Sequence, residues 1–176
     1  MLFILDRDGV INFESPDYIK SPDEWIPIPG SIEAIAQLSK AGHTVVIATN
    51  QSGLARGLYD HAMLEKIHQK MIDAVESLGG KISKIYFCPH HPDDNCNCRK
   101  PKPGMLQQIM QDFSVTADQI IFIGDSKRDY EASQAISCRF ILVKTGNGKI
   151  FADKLSEQKN VLVFEDLANA VKYLVH

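Results

Sequence analysis

Residues 1–12 read Met-Leu-Phe-Ile-Leu-Asp-Arg-Asp-Gly-Val-Ile-Asn, an apolar run that stops at two carboxylates. An apolar run without alternation is typical of a strand buried on both faces, as in the centre of a parallel sheet. In open α/β sheets the ligand lies beyond the carboxyl ends of the strands. Asp6 and Asp8 are therefore expected at a ligand crevice, on a backbone that Gly9 allows to turn sharply. For this stretch alone, the alternative is a strand that ends in an ordinary polar turn.

The composition is typical of a globular domain. The 176 residues, 44% hydrophobic and 23% charged, are enough to bury one core, so we expect a single domain over residues 1–176. A net charge of −3 indicates no general affinity for nucleic acid or anionic membranes. No apolar run approaches the roughly 20 residues of a membrane span, and no secretory signal is recognisable. We therefore expect a cytoplasmic protein, and one that is monomeric.

Strand and helix signals alternate along the chain, which predicts βαβ units and an α/β fold with a mainly parallel central sheet. Apolar runs predict strands at 2–5, 44–48, 82–87, 119–123, 140–143 and 161–163. Helical spacing predicts a helix from an N-cap at Ser31 to Gly42, and a longer one over 60–78 with Asp60 as its N-cap. Further helices are predicted at 103–113, 129–136 and 167–173. The loop at 12–29 is long, which favours a functional role, and its Tyr18, Trp25 and Ile26 indicate that part of it packs down as a lid.

Polar clusters follow four of the predicted strands. These clusters are Asp6 with Asp8, Thr49 with Asn50, Arg99 with Lys100, and Asp125 with Asp129. Because the carboxyl ends of parallel strands meet at one edge of a sheet, the side chains are expected to converge. Three carboxylates in one crevice repel one another unless a cation lies among them, and oxygen ligands suit Mg²⁺. With a carboxylate nucleophile and a lysine for phosphoryl oxygens, the set predicts phosphoryl transfer. Helix caps or solvated charges would explain single members but not the joint pattern.

The pattern resembles the four motifs of the haloacid dehalogenase (HAD) superfamily, in the same order. The matching motifs are Asp6-x-Asp8-Gly9-x-x-Asn12, Thr49-Asn50, Lys100, and Gly124-Asp125-x-x-x-Asp129. The resemblance implies a Rossmann-like three-layer sandwich. No insertion in this chain is large enough for a separate cap domain.

The resemblance also implies a role for each motif residue. Asp6 attacks phosphorus, and Asp8 protonates the leaving oxygen and then activates water. Mg²⁺ is held by Asp6, the backbone carbonyl of Asp8, and Asp125, with Asp129 in support. Phosphoryl and substrate contacts are assigned to Thr49, Asn50, Gln51, Ser52 and Lys100. A receiver-like phosphoacceptor module is the non-enzyme alternative, but a slow switch has no need for the acid/base at Asp8.

A second metal site is predicted in an insert after the third strand. Residues 88–98 read Cys-Pro-His-His-Pro-Asp-Asp-Asn-Cys-Asn-Cys, the pattern C-x-H-x5-C-x-C. Three thiolates and one imidazole fill a tetrahedral Zn²⁺ site and leave no open position, so the site is expected to be structural. His91 competes with His90, but relatives that share Cys-Pro-His favour the ligand set Cys88, His90, Cys96 and Cys98. Such a site would position Lys100 directly after it. The alternative is a reduced loop with incidental cysteines, and Cys138 is expected to be a buried apolar residue.

Two stretches resemble the branch of the superfamily that contains the heptose bisphosphate phosphatases. They are TNQSGLARG at 49–57 and RKPKPGML at 99–106. The resemblance implies a Mg²⁺-dependent 7-phosphatase for D-glycero-D-manno-heptose 1,7-bisphosphate, in lipopolysaccharide precursor synthesis. Histidinol-phosphate phosphatase is the alternative, because the zinc loop is as compact as in those enzymes. The role of Ser126 and Lys127 stays open, since some heptose bisphosphatases place Lys directly after the motif-four Asp. Arg99 and Arg56 are available for the phosphate that is not removed.

Overall fold

A parallel sheet between two layers of helices forms the centre of the computed structural model, which describes residues 1–155 and 161–175. The strands are β1 (Leu2–Leu5), β2 (Thr44–Asn50), β3 (Lys84–Cys88), β4 (Ile120–Gly124), β5 (Arg139–Val143) and β6 (Leu162–Phe164). They pair in the order β3-β2-β1-β4-β5-β6, and each of these pairings is parallel. This confirms the α/β sandwich, with every described strand parallel.

Strand β1 lies in the middle of the sheet, because its four apolar residues can be buried on both faces. Phe3 and Leu5 pack into one core, and Leu2 and Ile4 pack into the other. The first core is covered by helices α1 (Ser31–Lys40), α2 (His61–Ser77) and α6 (Leu167–Leu174). The second core is covered by α3 (Gly104–Phe113), α4 (Lys127–Ala135) and α5 (Gly148–Leu155).

Several boundaries differ from the predictions for local physical reasons. Gly30, with φ of 81°, is the N-cap of α1, so the prediction for Ser31 is wrong. The Ser31 hydroxyl instead donates to the Ile11 carbonyl at 2.6 Å. Strand β2 continues to Asn50, because Thr49 and Asn50 still pair with β3. Helix α4 begins at Lys127 rather than at 129, because Ser126 and Asp129 form its capping box. The sequence interpretation missed α5.

The loop at 12–29 packs down, as predicted, rather than extending into solvent. Trp25 is 1% exposed and joins the first core, whereas Ile26, which is also expected to pack down, is 57% exposed. The loop contains a 3-10 turn at Pro22–Glu24, and its base is closed where the Phe13 amide donates to the Ile26 carbonyl at 3.0 Å. Among the residues described, no helix is both long and apolar enough to cross a membrane.

Candidate active site

The two carboxylates that follow β1 have different surroundings. Asp6 accepts a hydrogen bond from the Arg7 amide at 2.8 Å and pairs with Lys100 Nζ at 2.9 Å. Asp8 accepts from Arg7 Nη2 at 3.0 Å, Asn12 Nδ2 at 2.9 Å and Gln51 Nε2 at 3.0 Å. Arg7, which strand alternation would direct away from both carboxylates, turns its guanidinium onto Asp8. Each carboxylate therefore has its own cation.

Gly9 allows the chain to turn directly after these carboxylates. Its φ is 85°, in the left-handed region that side chains disfavour. A Cβ at this position would overlap the carboxylate of Asp125, which follows β4. The motif-one turn and the end of β4 are thus in direct contact, as the convergence of strand ends predicts.

The residues that end β2 hold their neighbours in place. The side chain of Asn50 binds the backbone of Lys100 through both of its polar atoms. Its Oδ1 accepts from the Lys100 backbone amide, and its Nδ2 donates to the Lys100 backbone carbonyl, both at 3.0 Å. Asn50 therefore fixes the backbone of the predicted phosphate-binding lysine. Thr49, 1% exposed, accepts from Gln51 Nε2 at 2.9 Å and lines the same crevice as Asp6.

Lys100 lies at the bottom of the crevice with its ammonium group buried. Its Nζ donates to Asp129 Oδ1 at 2.6 Å and to the Ala48 carbonyl at 2.8 Å, in addition to its pair with Asp6. Burial alone would lower the pKa of Lys100, but Asp129 and Asp6 outweigh it and raise that pKa. Lys100 is therefore a fixed positive charge beside the predicted nucleophile.

Three carboxylates form the acidic side of the crevice. One oxygen from each of Asp6, Asp125 and Asp129 lies within 4.8 Å of the others. Burial, followed by the charge of Asp129, raises the pKa of Asp6 and raises the pKa of Asp125 to about 7. A divalent cation would offset the repulsion between these buried carboxylates, and the all-oxygen donors suit Mg²⁺. Both oxygens of Asp129 already accept from Lys100 and Ser126, which fits a supporting position.

The predicted zinc ligands converge within the insert. Ligand atoms of Cys88, His90, Cys96 and Cys98 all lie within 4.8 Å of one another. The three sulfur–sulfur distances are 3.3, 3.6 and 3.6 Å, near the ~3.8 Å edge of a tetrahedron with zinc–sulfur bonds of about 2.3 Å. His91 is the N-cap of a 3-10 turn at Pro92–Asp94, where its Nδ1 accepts from the Asp93 amide. The cluster is thus compatible with zinc, and His90 is the histidine in it.

A second compartment adjoins the crevice and shares its wall. It is a cleft of about 250 Å³ whose lining includes Asp8, Glu14, Ser52, Arg99 and Arg128. Asp8, Glu14, Asn50 and Arg128 also line the acidic crevice, so the two compartments meet along these side chains.

Arginine and lysine side chains around the cleft differ in how they are placed. Arg99 Nη1 is buried and has no hydrogen-bond partner in the described part of the chain, and burial, followed by the charge of Arg128, lowers the pKa of Arg99. Arg56 is exposed at the rim of the cleft, and its Cζ lies 5.9 Å from the centre of the Tyr18 ring. Lys127 points away and pairs with Glu131 at 3.3 Å.

Outside the site, Cys138 is buried, as predicted.

Four side chains at the site were missed by the sequence interpretation: Arg7, Glu14, Arg128 and Asn147. The backbone N–H of Asn147 donates to Asp125 Oδ2 at 2.8 Å, and the side-chain Nδ2 of Asn147 donates to Glu14 Oε2 at 2.6 Å. Arg128 could have been found from the sequence, because it lies inside the Gly124–Asp129 motif, directly before Asp129. Glu14 and Asn147 are brought together from opposite ends of the chain, and no sequence signal links them.

The chain is similar in sequence to proteins named as phosphatases along nearly its whole length. A model of the HAD-hydrolase-like family matches residues 97–170. A protein from Pseudomonas aeruginosa, named D-glycero-beta-D-manno-heptose-1,7-bisphosphate 7-phosphatase, is 55% identical over 99% of this chain and 97% of its own. The chain belongs to this family of HAD phosphatases. A family member of the same name from Pseudomonas putida is 51% identical, with 99% of each chain covered.

The fold agrees with that of a solved family member. The crystal structure of D,D-heptose 1,7-bisphosphate phosphatase from Bordetella bronchiseptica, in complex with magnesium and phosphate, superposes with a TM-score of 0.95. The two sequences are 49% identical, and the match covers 99% of this chain and 97% of that one. The family fold thus includes a member that binds magnesium and phosphate.

Proposed function

We propose that this chain is a Mg²⁺-dependent phosphatase that removes the 7-phosphate of D-glycero-β-D-manno-heptose 1,7-bisphosphate. The observation that carries the proposal is the pair of adjoining compartments. One holds Asp6, Lys100 and the acidic cluster, and the other holds the half-buried guanidinium of Arg99, whose Nη1 is buried and has no hydrogen-bond partner among the described residues. A substrate with a phosphate at each end can place one in each compartment. The relatives named for this substrate support the same choice, including its β anomer.

The reaction follows from the separate surroundings of the two motif-one carboxylates. A carboxylate oxygen of Asp6 attacks phosphorus, the bond from phosphorus to the sugar oxygen breaks, and Asp8 gives that oxygen a proton. Asp8 then takes a proton from water, and the resulting hydroxide attacks the aspartyl-phosphate and releases inorganic phosphate and Asp6. Lys100 and the Thr49 hydroxyl hold the phosphoryl oxygens while charge develops on them.

The acidic cluster supplies the groups for a divalent cation. Asp6, the backbone carbonyl of Asp8, and Asp125 would hold Mg²⁺, with Asp129 kept in place by Lys100 and Ser126. When bound, Mg²⁺ would neutralise charge on the phosphoryl group and on the carboxylates around it.

The zinc-binding loop is proposed to be structural, with Cys88, His90, Cys96 and Cys98 as its ligands. Its last cysteine is followed directly by Arg99 and Lys100 in the sequence. Since a short polar loop has little core of its own, metal binding would supply its folding energy and fix both cationic residues.

The phosphate that is not removed is proposed to bind Arg99. A buried guanidinium nitrogen without a partner is unfavourable, and a phosphate oxygen would supply the missing acceptor. Arg128, Gln51 and Ser52 line the same cleft. Arg56 lies at the rim on Tyr18, so a direct contact to the substrate stays a prediction for it.

The test is phosphate release from a panel of esters: both anomers of heptose 1,7-bisphosphate, heptose 7-phosphate and histidinol phosphate. We expect the highest kcat/KM for the β bisphosphate and no turnover by Asp6→Asn. Arg99→Gln should lower kcat/KM for the bisphosphate about 10- to 100-fold, since a charge-assisted hydrogen bond is lost, with less effect on the monophosphate. Arg139→Gln is the matched control, because Arg139 is exposed at the start of β5.

Other outcomes would identify the alternatives. Preference for histidinol phosphate would favour that activity. An Asp6-phosphate that persists for minutes in the wild-type protein would favour the receiver-like module. Full turnover by a folded Asp6→Asn protein would contradict the aspartyl-phosphate route itself.

A further inference from the structure

A buried arginine lies beside the proposed general acid/base and has no part in the reaction derived above. Arg7 is 0% exposed, and Asp8 is its ion-pair partner within the described part of the chain, at 3.0 Å. Arg7 Nε also donates to Asp8 Oδ1 at 3.1 Å, so the guanidinium grips the carboxylate by two nitrogens. A charge this deeply buried is unfavourable unless its partners are fixed in good geometry. The contact between Arg7 and Asp8 is therefore a constrained one.

The far side of Arg7 is held by a histidine from helix α2. Arg7 Nη1 lies 3.2 Å from His68 Nε2. Because arginine has only donors, His68 Nε2 must accept, which requires a neutral imidazole with its proton on Nδ1. Burial, followed by the charge of Arg7, lowers the pKa of His68 to about 3, in agreement with that neutral form. His68 thus anchors Arg7 without competing for its charge.

A second anchored side chain reaches the other oxygen of Asp8. Gln51 Nε2 donates to Asp8 Oδ2 at 3.0 Å, and Gln51 Oε1 accepts from the Tyr59 hydroxyl at 2.6 Å. Burial raises the pKa of Tyr59 to about 12, so its hydroxyl keeps the donor proton at neutral pH. Tyr59 directly precedes Asp60, the N-cap of α2. Both anchors therefore belong to α2 and the residue before its cap.

We propose that His68 and Tyr59 are positioning residues that act through Arg7 and Gln51 to orient the Asp8 carboxylate for proton transfer. This role rests on the proposed function of Asp8 as general acid/base. The nucleophile Asp6 is held by a different set, Lys100 and the backbone of Arg7. Loss of an α2 anchor should therefore slow proton transfer at Asp8 while leaving attack by Asp6 intact.

The leaving group distinguishes this role from a general loss of structure. A sugar alkoxide needs a proton from Asp8 to depart, whereas the oxyanion of p-nitrophenol departs without one. For His68→Leu, we expect the single-turnover phosphorylation rate with heptose bisphosphate to fall about 10- to 100-fold, with KM changed less than about threefold. The p-nitrophenol burst from p-nitrophenyl phosphate should keep its wild-type rate.

Conservative and matched variants complete the design. His68→Gln offers an amide oxygen to Arg7 and should restore most of the rate that His68→Leu loses. His61→Leu is the control, because His61 also lies on α2 and faces the Phe87 ring at 6.0 Å, as His68 does. Tyr59→Phe tests the second anchor by removal of one hydroxyl, and it serves as the primary variant if His68→Leu does not fold.

Two results would overturn the proposal. One is an equal loss with the sugar and aryl substrates, which indicates a structural role, and the other is wild-type phosphorylation by folded His68→Leu and Tyr59→Phe. If the wild-type protein instead prefers another alkyl phosphate of the panel, the proposed substrate is wrong. The same comparison made with that ester then still decides the role of His68 and Tyr59.

Discussion

Removal of the buried ammonium group of Lys100 should destabilise the fold and make its stability depend on Mg²⁺. The perturbation is Lys100→Met, which keeps much of the chain length but removes the charge. It takes away the donor at 2.6 Å from Asp129 and the cation at 2.9 Å from Asp6, in a side chain that is 2% exposed. The acidic cluster, which also includes Asp125, would then lack its protein cation.

The expected loss follows from burial. Removal of one partner of a buried ion pair typically costs about 3–5 kcal/mol of unfolding free energy, because the other charge stays buried and unpaired. The pKa of Asp6 is already raised by burial and by Asp129, and loss of Lys100 should raise it further. A carboxyl with a raised native pKa contributes stability at low pH, and this contribution is lost as the pH rises through that pKa. The loss of unfolding free energy in Lys100→Met should therefore be greatest at about pH 8 and smaller at about pH 5.5.

The assay is urea unfolding followed by the fluorescence of Trp25, which is buried at 1% exposure. Each variant is measured at both pH values, without added Mg²⁺ and with excess Mg²⁺, which stabilises the state that binds it. Lys84→Met is the matched control, since Lys84 pairs with Asp112 at 2.5 Å but is 52% exposed, and its stability should stay close to wild type. A Lys100→Met deficit no larger than that of Lys84→Met at the higher pH would refute the reasoning.

Four further changes have defined outcomes. Asp60→Ala removes the side chain that accepts from the Met63 amide at 2.8 Å and should cost about 1 kcal/mol in urea unfolding. Cys98→Ser should lower the zinc content measured by atomic absorption and reduce kcat/KM, while an unchanged zinc content would exclude Cys98 as a ligand. The rise in Tm on addition of Mg²⁺ should be larger at about pH 8 than at about pH 5.5, because the pKa of Asp125 is raised to about 7 and protons compete with the cation below it. Gly9→Ala, at φ of 85° and against Asp125, should abolish phosphatase activity, and a folded variant with wild-type kcat would contradict the close packing there.

The sequence predicted correctly the features that depend on one residue type and on its near neighbours in the chain. Apolar runs ending in Asp6, Thr49 and Asp125 predicted strand ends, and the structure confirms strands that stop at or beside each of these residues. Asp60 before a helical pattern predicted an N-cap, which is confirmed by its bond to the Met63 amide. In these cases the signal and its consequence lie within a few residues of each other.

Prediction failed where the outcome depends on distant parts of the chain. Alternation along β1 cannot reveal that Arg7 turns onto Asp8, because the acceptor that holds it in that position, His68, is 61 residues away. Ser31 was a reasonable N-cap by residue type, but the Ile11 carbonyl takes its hydroxyl and Gly30 supplies the required conformation. Helix α5 begins at Gly148, beside another glycine at 146, and such residues usually indicate a loop.

The separate roles proposed for Asp6 and Asp8 can be traced to these long-range contacts. The two carboxylates are only two residues apart on one strand end, so their local sequence gives them nearly the same environment. Lys100, fixed by Asn50, faces Asp6, whereas Arg7, fixed by His68, faces Asp8. Titratable groups in different environments can take different parts in one reaction. The division between nucleophile and acid/base therefore depends on α2 and on the segment that precedes α3 as much as on β1 itself.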